Sequence, residues 1–120
     1  MLQRKEVEND VYELTRSFAI RIVNMYKYLK EEKGEHIMSK QVLRSGTSIG
    51  ANAFEGKNAQ SRADFISKMN IALKEATETG YWLDLLHETD FLNDETFDSI
   101  NNDCNRIKAV LTKIVKSTKL

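Results

Sequence analysis

The sequence predicts an all-α protein, an antiparallel up-down-up-down four-helix bundle built as one domain over residues 1–120. Four stretches of the chain repeat apolar residues at steps of three and four, which is the spacing of one helix face. The chain contains no proline and five glycines, too few breaks for an all-β sandwich or barrel. Apolar residues make up 41% and charged residues 30% of the chain, as in a soluble globular domain. Short turns between the four stretches favour antiparallel packing of successive helices.

The first helix is predicted over residues 9–33. Asn9 or Asp10 is suited to cap its start, and Gly34 is suited to end it in a left-handed turn. Its core side is an apolar row at helical spacing, made of Val7, Val11, Leu14, Phe18, Ile22, Met25 and Leu29.

The second helix is predicted over residues 39–55, followed by a turn at residues 56–60. One row at helical spacing is formed by Val42, Gly46, Ile49 and Ala53, and the adjoining row is formed by Leu43, Thr47, Gly50 and Phe54. Each glycine inside a helix costs about 1 kcal/mol relative to alanine. A helix that accepts this cost at Gly46 and Gly50 is expected to have a neighbouring backbone close by.

The third and fourth helices are predicted over residues 62–88 and 94–116. Ser61 with Asp64 is typical of a helix start, and Asn93 or Asp94 is suited to cap the fourth helix. The predicted core row of the third helix is Ile66, Met69, Leu73, Ala76, Gly80 and Leu83, and that of the fourth is Phe97, Ile100, Cys104, Ile107, Leu111 and Ile114.

The first and third helices carry more apolar residues than one core stripe needs. The surplus residues are Tyr12, Ile20, Val23 and Tyr26 on the first helix and Ile71, Trp82 and Leu85 on the third. Because a lone bundle of this size has a limited interior, these residues are candidates for an interface between copies of the chain. A wide stripe in which Trp82 seals one edge of the bundle explains the same pattern without a partner.

Charge is segregated along the chain although the formal net charge is zero. Nine acids and no Lys or Arg lie between Glu75 and Asp103, whereas five bases and no acid lie between Arg106 and Leu120. Antiparallel packing places the acids at one end of the bundle and a basic group at the other. The candidate nucleic-acid contacts in that basic group are Arg4, Lys5, Lys57, Arg62, Lys113, Lys116 and Lys119. Helix macrodipoles favour the same charge pattern in proteins that bind no nucleic acid.

The sequence predicts no catalytic residue, no cofactor and no metal site, and therefore no enzyme. Asp84 and His87 have the spacing of one half of a di-iron bundle site, but only one copy is present. Cys104 lies on a core row and is expected to be a small buried apolar group. The charged start of the chain is unlike a signal peptide, and no apolar run approaches the roughly 20 residues of a membrane helix. The predicted location is the cytoplasm, with no membrane contact.

The segment Leu43–Asn52, followed by Glu55-Gly56 and Ser61–Phe65, resembles a known signature. It is similar to the family of four-helix-bundle proteins encoded in intervening sequences of bacterial 23S ribosomal RNA genes, some of which are called ribosomal proteins. The resemblance continues through Ile71–Ala76 and Glu78–Leu83. It implies a ring-like homopentamer. The related accessory proteins of diversity-generating retroelements, which resemble this fold, are basic pentamers that bind a reverse transcriptase and nucleic acid.

Four residues of the family motif share one strip of the second helix, since Arg44, Ser48, Asn52 and Glu55 advance by four, four and three. We interpret this strip as a polar seam that specifies helix packing, with Arg44 pairing to an acid of the third helix or of a neighbouring subunit. A strip that contacts RNA is the alternative interpretation.

These observations predict a non-enzymatic homo-oligomeric scaffold, pentameric by resemblance, that associates with structured RNA or with a nucleic-acid enzyme. The alternative hypothesis is a protein–protein interaction module that makes no nucleic-acid contact and uses the acidic end and exposed aromatic residues.

Overall fold

Four α-helices joined by short turns form the molecule, described here from a computed structural model. The structure describes residues 4–117, and the side chains from residue 11 onward. The helices are α1 (Arg4–Glu31), α2 (Met38–Lys57), α3 (Arg62–Glu88) and α4 (Asp94–Lys116). The described residues contain no strand, so the predicted all-α fold is confirmed. None of these four helices combines the length and apolarity needed to cross a bilayer.

Contacts between successive helices show that the bundle is antiparallel. Ile22 of α1 lies against Gly46 of α2, whereas the earlier Thr15 lies against the later Gly50, so the two helices run in opposite directions. Between α2 and α3, Ser45 contacts Thr79 and the later Glu55 contacts the earlier Lys68, so these helices are also antiparallel. Between α3 and α4, Ala76 contacts Cys104 and the later His87 contacts the earlier Asp94, which shows the same reversal. Each helix packs on the next one and α1 packs on α4, which closes the square.

The start of α1 differs from the prediction. The helix begins at Arg4, so Asn9 and Asp10 lie inside it and are not its cap. Residues 4–8 include Arg, Lys and Glu, which have good helix propensity and extend the helix beyond the cap candidates that marked residue 9. At its other end α1 stops at Glu31, two residues before the prediction, and Gly34 follows with φ of +63°, the predicted left-handed turn.

The carboxylate of Glu35 caps α2, a role that the sequence did not indicate. It accepts hydrogen bonds from the backbone N–H groups of Ile37, Met38 and Ser39 at 3.3, 3.1 and 2.7 Å. The Ser39 hydroxyl donates to the Glu35 carbonyl oxygen at 2.7 Å. Burial alone raises the pKa of Glu35, but the three N–H donors outweigh it and lower the pKa below 4.5. The cap fixes the geometry of the α1–α2 turn.

The α2 helix starts one residue before the prediction and continues to Lys57, so the predicted turn at residue 56 is still helix. Gly56 is buried against α3. A Cβ atom at this position would lie 3.2 Å from Lys68 Cβ and 3.3 Å from Met69 Cε, so the glycine lets the two helices pack closely.

Gly50 serves the same purpose against α1, where the backbone of Thr15 lies close, as predicted. At Gly46 the prediction of a close backbone was wrong, because an added Cβ atom would meet the Ile22 side chain instead.

The core row of α3 is rotated from the predicted one. Its buried residues are Phe65, Met69, Ala72, Ala76, Thr79, Leu83 and Leu86. The predicted core residues Ile66, Leu73 and Gly80 are only half-buried. The apolar spacing did not predict Thr79 as a core residue. Thr79 can be buried because its hydroxyl forms a hydrogen bond to Ser45 Oγ at 2.9 Å within the core.

The fourth helix follows the prediction closely. Asn93 caps it by accepting a hydrogen bond from the backbone N–H of Thr96 at 2.8 Å, just as Ser61 caps α3 through Asp64. Five of its six predicted core residues are buried, and the sixth, Phe97, is half-buried. Cys104 is fully buried, donates to the carbonyl of Ala76, and has its pKa raised by burial to about 11.

Candidate functional site

The family-motif residues of α2 lie along the seam between α2 and α3. The Arg44 guanidinium forms ion pairs with Glu75, at 3.3 Å, and with Glu78 of α3. The Trp82 indole N–H donates to the same Glu78 carboxylate at 2.9 Å. These contacts tie Arg44 to α3 of its own chain, which is one of the two pairings expected from the sequence.

The seam charges stabilise each other. The Trp82 hydrogen bond and the Arg44 contacts lower the pKa of Glu78, although partial burial opposes them. The hydrogen bond to Glu78 raises the pKa of Arg44. Both groups are charged at neutral pH, and Glu78 binds the Trp82 indole beside its contact with Arg44. Trp82 is half-buried there, which fits the interpretation in which Trp82 seals an edge of the bundle.

The other motif residues make local contacts. The Ser48 hydroxyl donates to the Arg44 carbonyl oxygen at 2.7 Å, and the Asn52 amide donates to the Ser48 carbonyl oxygen at 2.9 Å. Glu55 accepts from the Lys68 ammonium of α3 at 3.2 Å, a pairing that the sequence did not indicate. The strip therefore joins α2 to α3 at its two ends and stays within α2 in the middle.

The described candidate nucleic-acid contacts share one end of the bundle. Arg62 stacks over the Phe65 ring at 4.6 Å and donates to the Ser117 hydroxyl at 3.2 Å, which joins the α2–α3 turn to the end of α4. Lys57 lies over the Tyr12 ring at 5.3 Å. Lys113 and Lys116, in the last turn of α4, are exposed. The side chains of Arg4 and Lys5, and all of Lys119, lie outside the described residues.

The opposite end holds the acidic turn between α3 and α4 next to the loop after α1, as predicted. The His87 imidazole lies 2.7 Å from the Asp94 carboxylate and stacks on Phe97, with ring centroids 4.1 Å apart. The hydrogen bond to Asp94 raises the pKa of His87 above 6.5. Among the residues with described side chains, no group of three or more His, Cys, Asp or Glu is placed to hold a metal ion.

One candidate interface residue of α1, Tyr12, lines a groove between α1 and α2. This groove has a volume of about 430 Å³, and its lining includes Tyr12, Ala19, Gly50, Ala51 and Phe54. A shallower depression beside it adds Ile20 and Val23, and it shares Ala19 with the groove. Tyr26 follows Val23 by three residues on the same strip.

The most exposed apolar residues on α2 and α3 are not the ones that the sequence selected for an interface. Phe54 and Tyr81 are 65% and 57% exposed, yet the sequence did not select either as an interface residue. Of the selected residues, Ile20 and Ile71 are exposed, at 48% and 38%. The other five are half-buried: Tyr12, Val23, Tyr26, Trp82 and Leu85.

The comparison with known families covers nearly the whole chain. The family model described as 23S rRNA-intervening sequence protein matches residues 7–113. The chain belongs to this family. The matched region contains all four helices apart from the first residues of α1 and the last of α4, and it includes the whole α2–α3 seam.

Among solved structures, the chain is similar to a member of the S23 ribosomal protein family from Bacteroides thetaiotaomicron, a protein with unknown function. The two are 56% identical with a TM-score of 0.90, over 92% of this chain and 98% of that chain. The curated proteins include no match to this chain. The family thus accounts for the four-helix fold and leaves the biochemical role to be inferred from the surfaces.

Proposed function

We propose that the chain is a non-enzymatic scaffold that assembles from several copies of itself, five by its family resemblance, and presents the basic end of the bundle to structured RNA. The apolar surface of α1 and α2 carries this proposal. Phe54 at the groove and Ile20 at the neighbouring depression expose 65% and 48% of their area. Monomeric soluble proteins rarely expose a large contiguous apolar patch.

The state of the potentially reactive side chains supports a non-enzymatic role. Cys104 is buried with a pKa of about 11, so almost none of it is thiolate at neutral pH. His87 is hydrogen-bonded to Asp94 and stacks on Phe97, and the depression that it lines has no Ser, Thr or Cys among its lining residues. The three carboxylates of the α2–α3 seam are each paired with Arg44 or Lys68.

The mass of the particle in solution tests the scaffold proposal. Sedimentation over a wide range of concentrations is expected to give a stable multiple of the 13.8 kDa chain. A particle of one chain at every concentration would overturn the proposal, because the exposed apolar surface would then have no partner of its own kind.

Salt-dependent binding tests the part of the proposal that concerns RNA. Binding to a structured RNA is expected to weaken steadily with salt. Lys113→Gln with Lys116→Gln is expected to reduce the salt slope by roughly 0.9 for each phosphate that these lysines neutralise in the wild type. Lys30→Gln with Lys33→Gln, which removes the same charge near the acidic end, is the control and is expected to change binding less. Undetectable RNA binding at low salt would contradict the RNA part of the proposal. The scaffold would then be a protein–protein interaction module that makes no nucleic-acid contact.

A further inference from the structure

The basic end of the bundle carries lysines on two opposite sides. Lys57, at the end of α2, lies over the Tyr12 ring of α1, with Nζ 5.3 Å from the ring centroid. Lys113 and Lys116 lie in the last turn of α4. All three lysines are exposed. Because α2 and α4 occupy opposite corners of the square, the bundle itself separates Lys57 from the α4 pair.

The start of α3 lies between these two groups of lysines and divides them. Arg62 stacks over Phe65 and donates to the Ser117 hydroxyl at 3.2 Å, which holds this start against the end of α4. Asp64, in the same helical turn, is also exposed. Since the Asp64 charge offsets that of Arg62, positive potential is concentrated on the lysines at either side.

The aromatic rings near this end are covered. Every Phe, Tyr and Trp of the chain lies within residues 12–97, whose side chains the structure describes. Phe65 is buried, and the Arg62 guanidinium lies over its ring at 4.6 Å. The half-buried Tyr12 ring lies under Lys57. Phe54 is exposed, but it belongs to the apolar surface that the proposed function assigns to another copy.

Single-stranded and double-helical RNA are bound by different kinds of surface. Unpaired bases stack on aromatic side chains, whereas a duplex is held through its phosphates and 2′-hydroxyl groups. A duplex also presents two phosphate strands, so it can meet lysines on both sides of the bundle end. One short strand that lies on the α4 lysines leaves Lys57 without a phosphate. Covered rings and lysines on two sides therefore favour a duplex.

We propose that the basic end binds the double-helical part of an RNA, with Lys57 on one phosphate strand and with Lys113 and Lys116 on the other. This inference rests on the proposed function, since it names the class of RNA that the basic end takes. Phosphate contacts carry no sequence information, so duplexes of unrelated sequence are expected to bind alike.

Two RNA probes of one sequence test the proposal. The first is a duplex of about 16 base pairs, which presents two successive minor grooves, and the second is one of its strands alone, chosen to form no hairpin. A salt slope of roughly 0.9 for each neutralised phosphate makes one contact worth about eightfold in affinity at about 0.1 M salt. The duplex is therefore expected to bind about eightfold more tightly than the strand, which misses Lys57.

Lys57→Gln tests whether contact on both sides causes this preference. It is expected to weaken duplex binding about eightfold and to leave strand binding unchanged, so the preference disappears. Lys40→Gln removes the same charge from an exposed site at the other end of α2 and is expected to keep the preference. Because both probes meet the same particle, the ratio of the two affinities does not depend on the number of chains in it. Circular dichroism melting verifies the fold of each variant.

Three results would contradict the inference. A strand that binds as tightly as the duplex would overturn it, and a further loss of strand binding in Phe54→Leu would show that an unpaired base stacks on the Phe54 ring instead. A duplex preference that survives Lys57→Gln would also overturn it, because contact on both sides would not be the cause. If neither probe binds at low salt, the RNA part of the proposed function fails too, which distinguishes that failure from the first two.

Discussion

A methyl group added to Gly46 would lie 2.8 Å from Cγ1 and 2.9 Å from Cγ2 of Ile22, closer than packed carbon atoms approach. Ile22 is fully buried in the core and branched at Cβ, so it has little freedom to move aside. The glycine therefore sets the distance between α1 and α2 at this point.

Gly46→Ala is expected to destabilise the fold. Overpacking costs about 1–3 kcal/mol, and the gain in helix propensity returns only about 1 kcal/mol. Gly80→Ala is the matched control, since the space around Gly80 is open within 4 Å, and it is expected to stabilise the fold by up to about 1 kcal/mol. Denaturant unfolding at one fixed protein concentration measures both changes. Equal effects from the two substitutions would show that Gly46 is not a packing requirement.

The buried hydroxyl pair between α2 and α3 is expected to behave as one unit. The Thr79 hydroxyl lies 2.9 Å from Ser45 Oγ and 2.8 Å from the Glu75 carbonyl oxygen. Ser45→Ala or Thr79→Val is expected to lower the free energy of unfolding by about 1 kcal/mol. The double variant should cost less than the sum, because the second change removes a group already left without its partner. Strict additivity in this double-mutant cycle would contradict the pairing.

The Glu35 cap predicts a loss of stability in acid. Because folding lowers the pKa of Glu35 below 4.5, its contribution is present above that value and disappears as the pH falls through the folded-state pKa. Glu35→Gln is expected to cost about 1 kcal/mol at neutral pH, as removal of a helix cap does, and to flatten the acid part of the stability curve. Glu32→Gln removes the same charge from an exposed site and is the control. An unchanged acid profile in Glu35→Gln would argue against the cap.

The hydrogen bond between His87 and Asp94 predicts the opposite pH dependence. Because this bond raises the pKa of His87 above 6.5, its support of the fold is present below that pH and disappears as the pH rises through the folded-state pKa. Asp94→Asn is expected to lower the pKa of His87, measured by NMR titration of its ring protons. Asp98→Asn is expected to lower it less, since Asp98 acts only through its charge. Equal shifts in the two variants would contradict the hydrogen bond.

Features determined by local sequence were predictable. Gly34, Ser61 and Asn93 end or cap helices through their immediate neighbours, and the structure uses them as the sequence indicated. The Glu35 cap is equally local, but it was missed because Glu is not among the residue types that usually cap the start of a helix.

Features that depend on helix rotation were predicted only in part. The apolar spacing predicted a core row in α3 that includes Gly80, whereas the observed row includes Thr79. The Thr79 hydroxyl forms a hydrogen bond to Ser45 of α2. The same rotation leaves Tyr81 exposed and half-buries Trp82 against Glu78. Neighbouring residues lie about 100° apart around a helix, so spacing alone did not decide which aromatic residue faces outward.

Light scattering of the wild-type chain beside Phe54→Asp tests the central claim most directly, namely that the apolar surface of α1 and α2 is covered by another copy. The account predicts a particle of several 13.8 kDa chains for the wild type and a single chain for the variant. A wild-type particle of one chain at high concentration would contradict it.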